Sequence, residues 1–166
     1  MQILLAISDR FFGDALVNFT AAHHWPDEAH YKLIKVVLPV EKQPGATAED
    51  RAIFFQEDMN QAQELLDKLS RMLHYQKKES KISTAVLVGQ PAKTIVEHAT
   101  NWPADMIILG AREQSNFEQF FLGSVSKYIA EHSPCSFCIV RIPNDETLDL
   151  NLSEKELLEE LEIPVG

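Results

Sequence analysis

Apolar residues along the first 142 positions follow two alternating rhythms, short continuous runs and helical stripes, and the alternation predicts the order βαβαβαβαβ. Gln2 to Ile7 is the first strand. The helix after it carries Ala15, Leu16, Phe19 and Ala22 inward at helical spacing, and Trp25-Pro26 closes it because a residue before proline is pushed out of the helical region. Tyr31 to Leu38 is strand two. Thr47, with Asp50 three positions on, caps a long helix whose buried face is assigned to Ile53, Phe54, Met59, Ala62, Leu65, Leu66, Leu69 and Met72. Strand three is Ile82 to Val88. Pro91 suits the first turn of a third helix, where a missing N–H costs nothing; Ile95, Val96 and Ala99 face inward, and Trp102-Pro103 is the stop. Asp105 to Leu109 is strand four, a helix runs from about Ser124 to His132, and Ser136 to Ile142 is strand five.

Strands joined by single helices pair in parallel through right-handed crossovers, which makes the fold α/β, a doubly wound five-stranded parallel sheet with helices on both faces. Ligands bind such sheets at the carboxyl ends of the strands, where strand order reverses. With strand one beside strand four, Ile7-Ser8-Asp9 and Gly110 converge on one crevice. Residues 1–143 form one domain, and 144–166 form a tail.

Charge refines this picture. The chain carries a net charge of −10, and Asn144 to Gly166, with eight acidic residues and one lysine, holds −7 of it. The body is therefore nearly neutral. Its one basic cluster, Lys77, Lys78 and Lys81, reads as a solvated loop too sparse to displace counterions from nucleic acid. No apolar run approaches the roughly 18–20 residues that cross a bilayer, and Ile3 to Ile7 lacks a basic leader, so a cytoplasmic protein without a membrane segment is expected. Two cysteines, Cys135 and Cys138, agree with a reducing compartment. Their C-x-x-C spacing falls on a strand rather than at a helix N-terminus, so a redox role is not expected. Residues three apart on a strand point to opposite faces, and the pair reads as packed core. His132 with these cysteines supplies at most three metal ligands, and neither a metal site nor a catalytic motif is assigned.

The chemistry-bearing stretch is the apolar strand Met106-Ile107-Ile108-Leu109 ending on Gly110, followed by Gly123-Ser124 at the start of a helix. A strand, a glycine and a helix N-terminus with unpaired N–H groups make an anion site. Glu113, three residues after Gly110, works against it, because a carboxylate repels phosphate; Arg112 is a counterweight.

On these residues the chain resembles the universal stress protein family over Met1 to Arg141. The densest agreement lies in Gly89-Gln90-Pro91-Ala92, Asp105 to Gly110 and Leu122-Gly123-Ser124-Val125-Ser126. The resemblance implies a Rossmann-like sheet of order 3-2-1-4-5, a homodimer, and a cytoplasmic stress-response binding module rather than an enzyme. Some members bind ATP through G-x-x-G, nine residues, then G-[ST], with an aspartate ending the first strand. Matched by position, Gly110, Gly123 and Ser124 keep the pattern, Val125 and Ser126 extend the phosphate contact, and Ala6, Ile7 and Val36 line the adenine pocket. Glu113 stands in place of the second glycine, and Ser8 in place of the aspartate, with Asp9 beside it. The implied cofactor is ATP with Mg, at a site with two of its main positions altered. The readings carried forward are an ATP-responsive switch and an apo interaction protein.

Strand five would be an exposed apolar edge in a monomer. In the resembling family two copies pair along it, which places Phe137, Cys138, Ile139, Val140 and Arg141 at a dimer interface. In the tail, Ser153 and Glu156 form a capping box, and Leu152, Leu157, Leu158 and Leu161 give a short helix one apolar edge, a feature suited to docking on a protein partner.

Overall fold

The computed structural model describes residues 1–26, 28–39, 47–112 and 123–142. The predicted order is observed: β1 (Gln2–Ile7), α1 (Arg10–Ala22), β2 (His30–Val37), α2 (Ala48–Gln76), β3 (Lys81–Val88), α3 (Pro91–Asn101), β4 (Met106–Arg112), α4 (Ser124–His132) and β5 (Ser136–Ile142). The five strands are all parallel, in the order β3-β2-β1-β4-β5. The tail, with its capping box and leucines, lies outside the described residues.

Strand alternation divides the interior into two cores. Ile3, Leu5 and Ile7 of β1 and Ile108 of β4 pack with Leu16, Val17, Leu66, Leu69 and Leu73 under α1 and α2. Leu4, Ile107 and Leu109 turn to the other side and meet Ile95, Ala99 and Ile129 of α3 and α4. Both faces of β1 and β4 are buried, which is why these strands read as unbroken apolar runs rather than as alternating ones. Cys135 packs against the α3/α4 core and Cys138 against the α1/α2 core, the opposite-face arrangement expected of strand neighbours three apart. Burial pushes both thiols above their ordinary pKa, and both are free.

Two helix faces differ from the sequence pattern. On α1 the buried line is Gly13, Leu16, Val17 and Thr20, while Ala15 and Phe19 are only part-buried and Ala22 is exposed. The cause is Gly13: a Cβ there would run into Leu69 Cδ1 and lie 3.3 Å from Ile7 Cγ2, so the bare backbone, which no hydrophobicity pattern scores, sits at the centre of the contact. On α2 the inward line is Phe55, Met59, Ala62, Leu66, Leu69 and Leu73, part-buried at its first two positions and fully buried thereafter. Ile53 and Phe54, two and one positions off that line at about 100° per residue, are 57% and 53% exposed. Helix length explains this: 29 residues span about 43 Å, whereas the eight residues of β3 span about 26 Å, so the first half of α2 overhangs the sheet. The Thr47–Asp50 capping box holds that free end.

At the other end of the sheet, His30 hydrogen-bonds Ser83 Oγ at 2.9 Å and meets Trp102 edge-on, and the Lys32 ammonium lies 5.2 Å from the same indole. Burial, then the charges of Lys81 and Lys32, lowers the pKa of His30; burial, then Lys32, lowers that of His98. The unfolded chain therefore takes up protons at about pH 6.5 before the folded one does. Stability is expected to fall as pH drops from neutral through about 6.5 and the lowered folded-state values. Urea midpoints at pH 7.5 and 5.5 check this, with a smaller difference expected in H98Q; equal midpoints for the parent protein would contradict it.

Candidate functional site

β1 ends at Ile7, opposite Lys35, whereas β4 runs on past Leu109, the partner of Ala6, and stays paired to β5 through Gly110↔Val140 and Arg112↔Ile142. The chain leaves β1 for α1 on one face, and the helix after β4 lies on the other. Between the diverging connections a cavity of about 520 Å³ opens on the α3/α4 side. Ile34 and Val36 from β2, with Leu38 just after it, form one wall, and Pro91 and Ile95 of α3 another. Its floor is Ala6, Ile7 and Ser8 with Leu109, Gly110 and Ala111, and its far end is Gly123, Ser124, Val125 and Ser126.

The far end is where an anion fits. Gly123 is the N-cap of α4 and supplies no side-chain hydrogen bond, so among the described residues the amides of the first turn have no capping side chain at the cavity end. Among the described residues, a Cβ on Gly123 would meet nothing within 4 Å. Ser126 is buried in this turn and Ser124 is exposed. The described lining residues include no carboxylate, and the Lys35 ammonium donates to the Ser8 carbonyl at the end of β1. The helix dipole and two hydroxyls thus favour negative charge here.

Gly110 is required by close approach. A Cβ there would collide with Phe12 Cδ1 and lie 3.0 Å from Phe12 Cε1 and 3.2 Å from Ile142 Cδ1. The Phe12 ring, from the first turn of α1, closes this side of the cavity directly over the glycine. Asp9 fixes its position by capping α1, Oδ1 accepting the Phe12 N–H at 3.0 Å.

Of the site residues expected from sequence, Ala6, Ile7, Ser8, Val36, Gly110, Gly123, Ser124, Val125 and Ser126 surround this one cavity. Asp9 is not among its lining residues, because its carboxylate is spent on the helix cap. Glu113 and the side chain of Arg112 lie outside the described residues. Sequence reasoning missed Phe12, Ile34, Leu38, Pro91, Ile95, Leu109 and Ala111. Ile34 and Leu38 could have been found, since they share a strand face with Val36. Phe12 carried no signal, because its role depends on how α1 crosses β4.

Comparison with known proteins agrees with this fold. The model of the universal stress protein family matches residues 1–141. A universal stress protein of Synechocystis sp. is 45% identical over 56 residues, 34% of this chain and 36% of that protein. A universal stress protein of Methanocaldococcus jannaschii is 34% identical over 86 residues, 52% of this chain and 49% of that protein. The matched segments therefore span about a third to a half of these relatives. Among solved structures, universal stress protein UspA from Lactobacillus plantarum superimposes with a TM-score of 0.66 at 22% identity, covering 85% of this chain and 97% of that one. A universal stress protein family protein from Arabidopsis thaliana, solved with AMP bound, gives a TM-score of 0.65 at 16% identity, covering 90% and 96%.

Proposed function

This chain belongs to the universal stress protein family, and on that premise we propose that it is a dimeric regulatory binding module whose cavity takes an adenine nucleotide. The phosphates lie toward the first turn of α4 and the base lies between β2 and α3. The observation that carries this reading is the pairing of two unlike ends in one cavity. Apolar walls from Ile34, Val36, Leu38, Pro91 and Ile95 suit a planar base, and an uncapped helix start at Gly123 with Ser124 and Ser126 suits phosphate. AMP in the Arabidopsis protein supports it by fold analogy. The described lining holds no histidine, cysteine or carboxylate to move a proton, which favours a binding role over catalysis. Mg would accompany ATP through the phosphates, since these lining residues offer it only hydroxyls and carbonyls.

Dimerisation belongs to the same proposal. β5 is an edge strand, Phe137 is 39% exposed, and Ile139 and Val140 are only part-buried. An open apolar edge of this kind is normally covered, and a second copy pairing along Phe137 to Arg141 would cover it. Among the described residues no helix is long and apolar enough to cross a membrane, and action in the cytoplasm is part of the proposal.

Native mass spectrometry with and without Mg-ATP tests both parts at once. A dimer that gains nucleotide mass is expected, and S8D is expected to strengthen binding by giving the cavity an acceptor for sugar hydroxyls. A protein that ignores ATP, AMP and S8D alike would remove the nucleotide reading and leave an apo interaction protein. I139D, which places a charge on the pairing edge, is expected to release monomers; a persistent dimer would place the interface elsewhere.

A further inference from the structure

Seven large apolar side chains are conspicuously exposed among the described residues, and three of them, Ile53, Phe54 and Val88, belong to one end of the molecule. Val88 ends β3, paired with Val37 of β2. α2 begins at this same end, because it runs back along a sheet whose β2 it follows, and its first half overhangs that edge. Ile53 and Phe54 point away from the inward line of the helix, at 57% and 53% exposure, uncovered among the described residues. Scattered exposed apolar residues need no explanation, but a group at one end of an overhanging helix marks a contact surface.

Charge identifies what covers it. Glu49, Asp50, Glu57 and Asp58 stand three or four positions from Ile53 or Phe54, on the same helix face, and Arg51 is the one cation between Ala48 and Met59. A second copy would bring this acidic rim against itself, and the −7 tail from Asn144 to Gly166 would be repelled in the same way. Each would meet the wrong sign of charge at this surface. We propose that the overhanging start of α2, with Ile53 and Phe54 at its centre, is the docking site for a basic amphipathic helix of another protein. The partner presents leucine- or phenylalanine-type side chains to Ile53 and Phe54, with lysine or arginine on either side facing Glu57, Asp58 and Glu49. This is helix-to-helix recognition with a charged rim that selects the partner. It makes the domain's output surface distinct from its cavity, and it does not depend on which ligand the cavity holds.

The test uses the full chain and two synthetic 18-residue helical peptides with one leucine face in common, one bearing lysines on its flanks and the other glutamates. Backbone amide shifts are followed by NMR during titration. Saturable shifts at residues 48–60 with the lysine peptide, and at least tenfold weaker binding of the glutamate peptide, are expected. E57K/D58K, both exposed and therefore compatible with folding, is expected to reverse the preference, and I53S/F54S to abolish binding of both. Equal binding of the two peptides, or shifts lying away from α2, would overturn the proposal. So would concentration-dependent self-association lost in I53S/F54S, which would assign the surface to a second copy. A tenfold gain in peptide affinity on deleting residues 144–166 would assign it to the tail and overturn it equally.

Discussion

Leu69→Ala is expected to destabilise the protein by about 2–5 kcal/mol, the range for a fully buried leucine whose cavity cannot collapse. Leu69 is fully buried, and it fills the space that the missing side chain of Gly13 leaves where α1 crosses α2. For a chain of this size, about 3 kcal/mol corresponds to a drop of roughly 6–12 °C in Tm. The pair also gives a sharper test. Gly13→Ala alone drives a methyl into Leu69 Cδ1, offsetting the gain of about 1 kcal/mol in helix propensity. In the Leu69→Ala background that methyl enters the vacated space, so Gly13→Ala is expected to become stabilising there by about 1 kcal/mol or more. A double-mutant cycle from urea unfolding measures the coupling. Additive effects would show that the helix contact is not centred on this pair.

Gly110→Val is expected to remove nucleotide binding and to cost about 1–3 kcal/mol of stability, the usual penalty for overpacking. Its first added carbon lands on the Phe12 ring, and its branch has Ile142 as the next neighbour. The ring cannot retreat without pressing on the cavity it borders, because Phe12 is held at the start of α1 by the Asp9 cap. Phe12→Ala in the same chain is expected to recover most of the lost stability, since it deletes the obstacle. Calorimetric titration with Mg-ATP and thermal melts of the parent and the two variants check both effects. If Gly110→Val bound nucleotide as the parent does, the ligand would not lie against Gly110.

The same two glycines show how far the sequence could be read. Element order, the bounds of β1, α4 and β5, the Thr47–Asp50 cap and Pro91 at the start of α3 all follow from local chemistry, and the structure has them as expected. The convergence of Ser8, Val36, Gly110 and Gly123 on one cavity was also legible, because parallel βα units leave few topologies and each places ligands at the carboxyl ends of the strands. Helix faces were less so. Periodicity locates a stripe of apolar residues, but several rotations of α1 satisfy one stripe, and Gly13 contributes contact through a side chain it does not have.

By itself the sequence determined what depends on nearest neighbours in the chain: where strands and helices begin, which termini are capped, which segments alternate, and hence the doubly wound class. Only the tertiary structure decided what depends on lengths and approaches between distant segments. α2 is longer than the strand it covers, so Ile53 and Phe54 reach solvent although they are as apolar as Leu66. Phe12 became a wall of the cavity because Gly110 leaves room for its ring. Burial is a property of what else occupies the space around a residue, and only the folded chain fills that space.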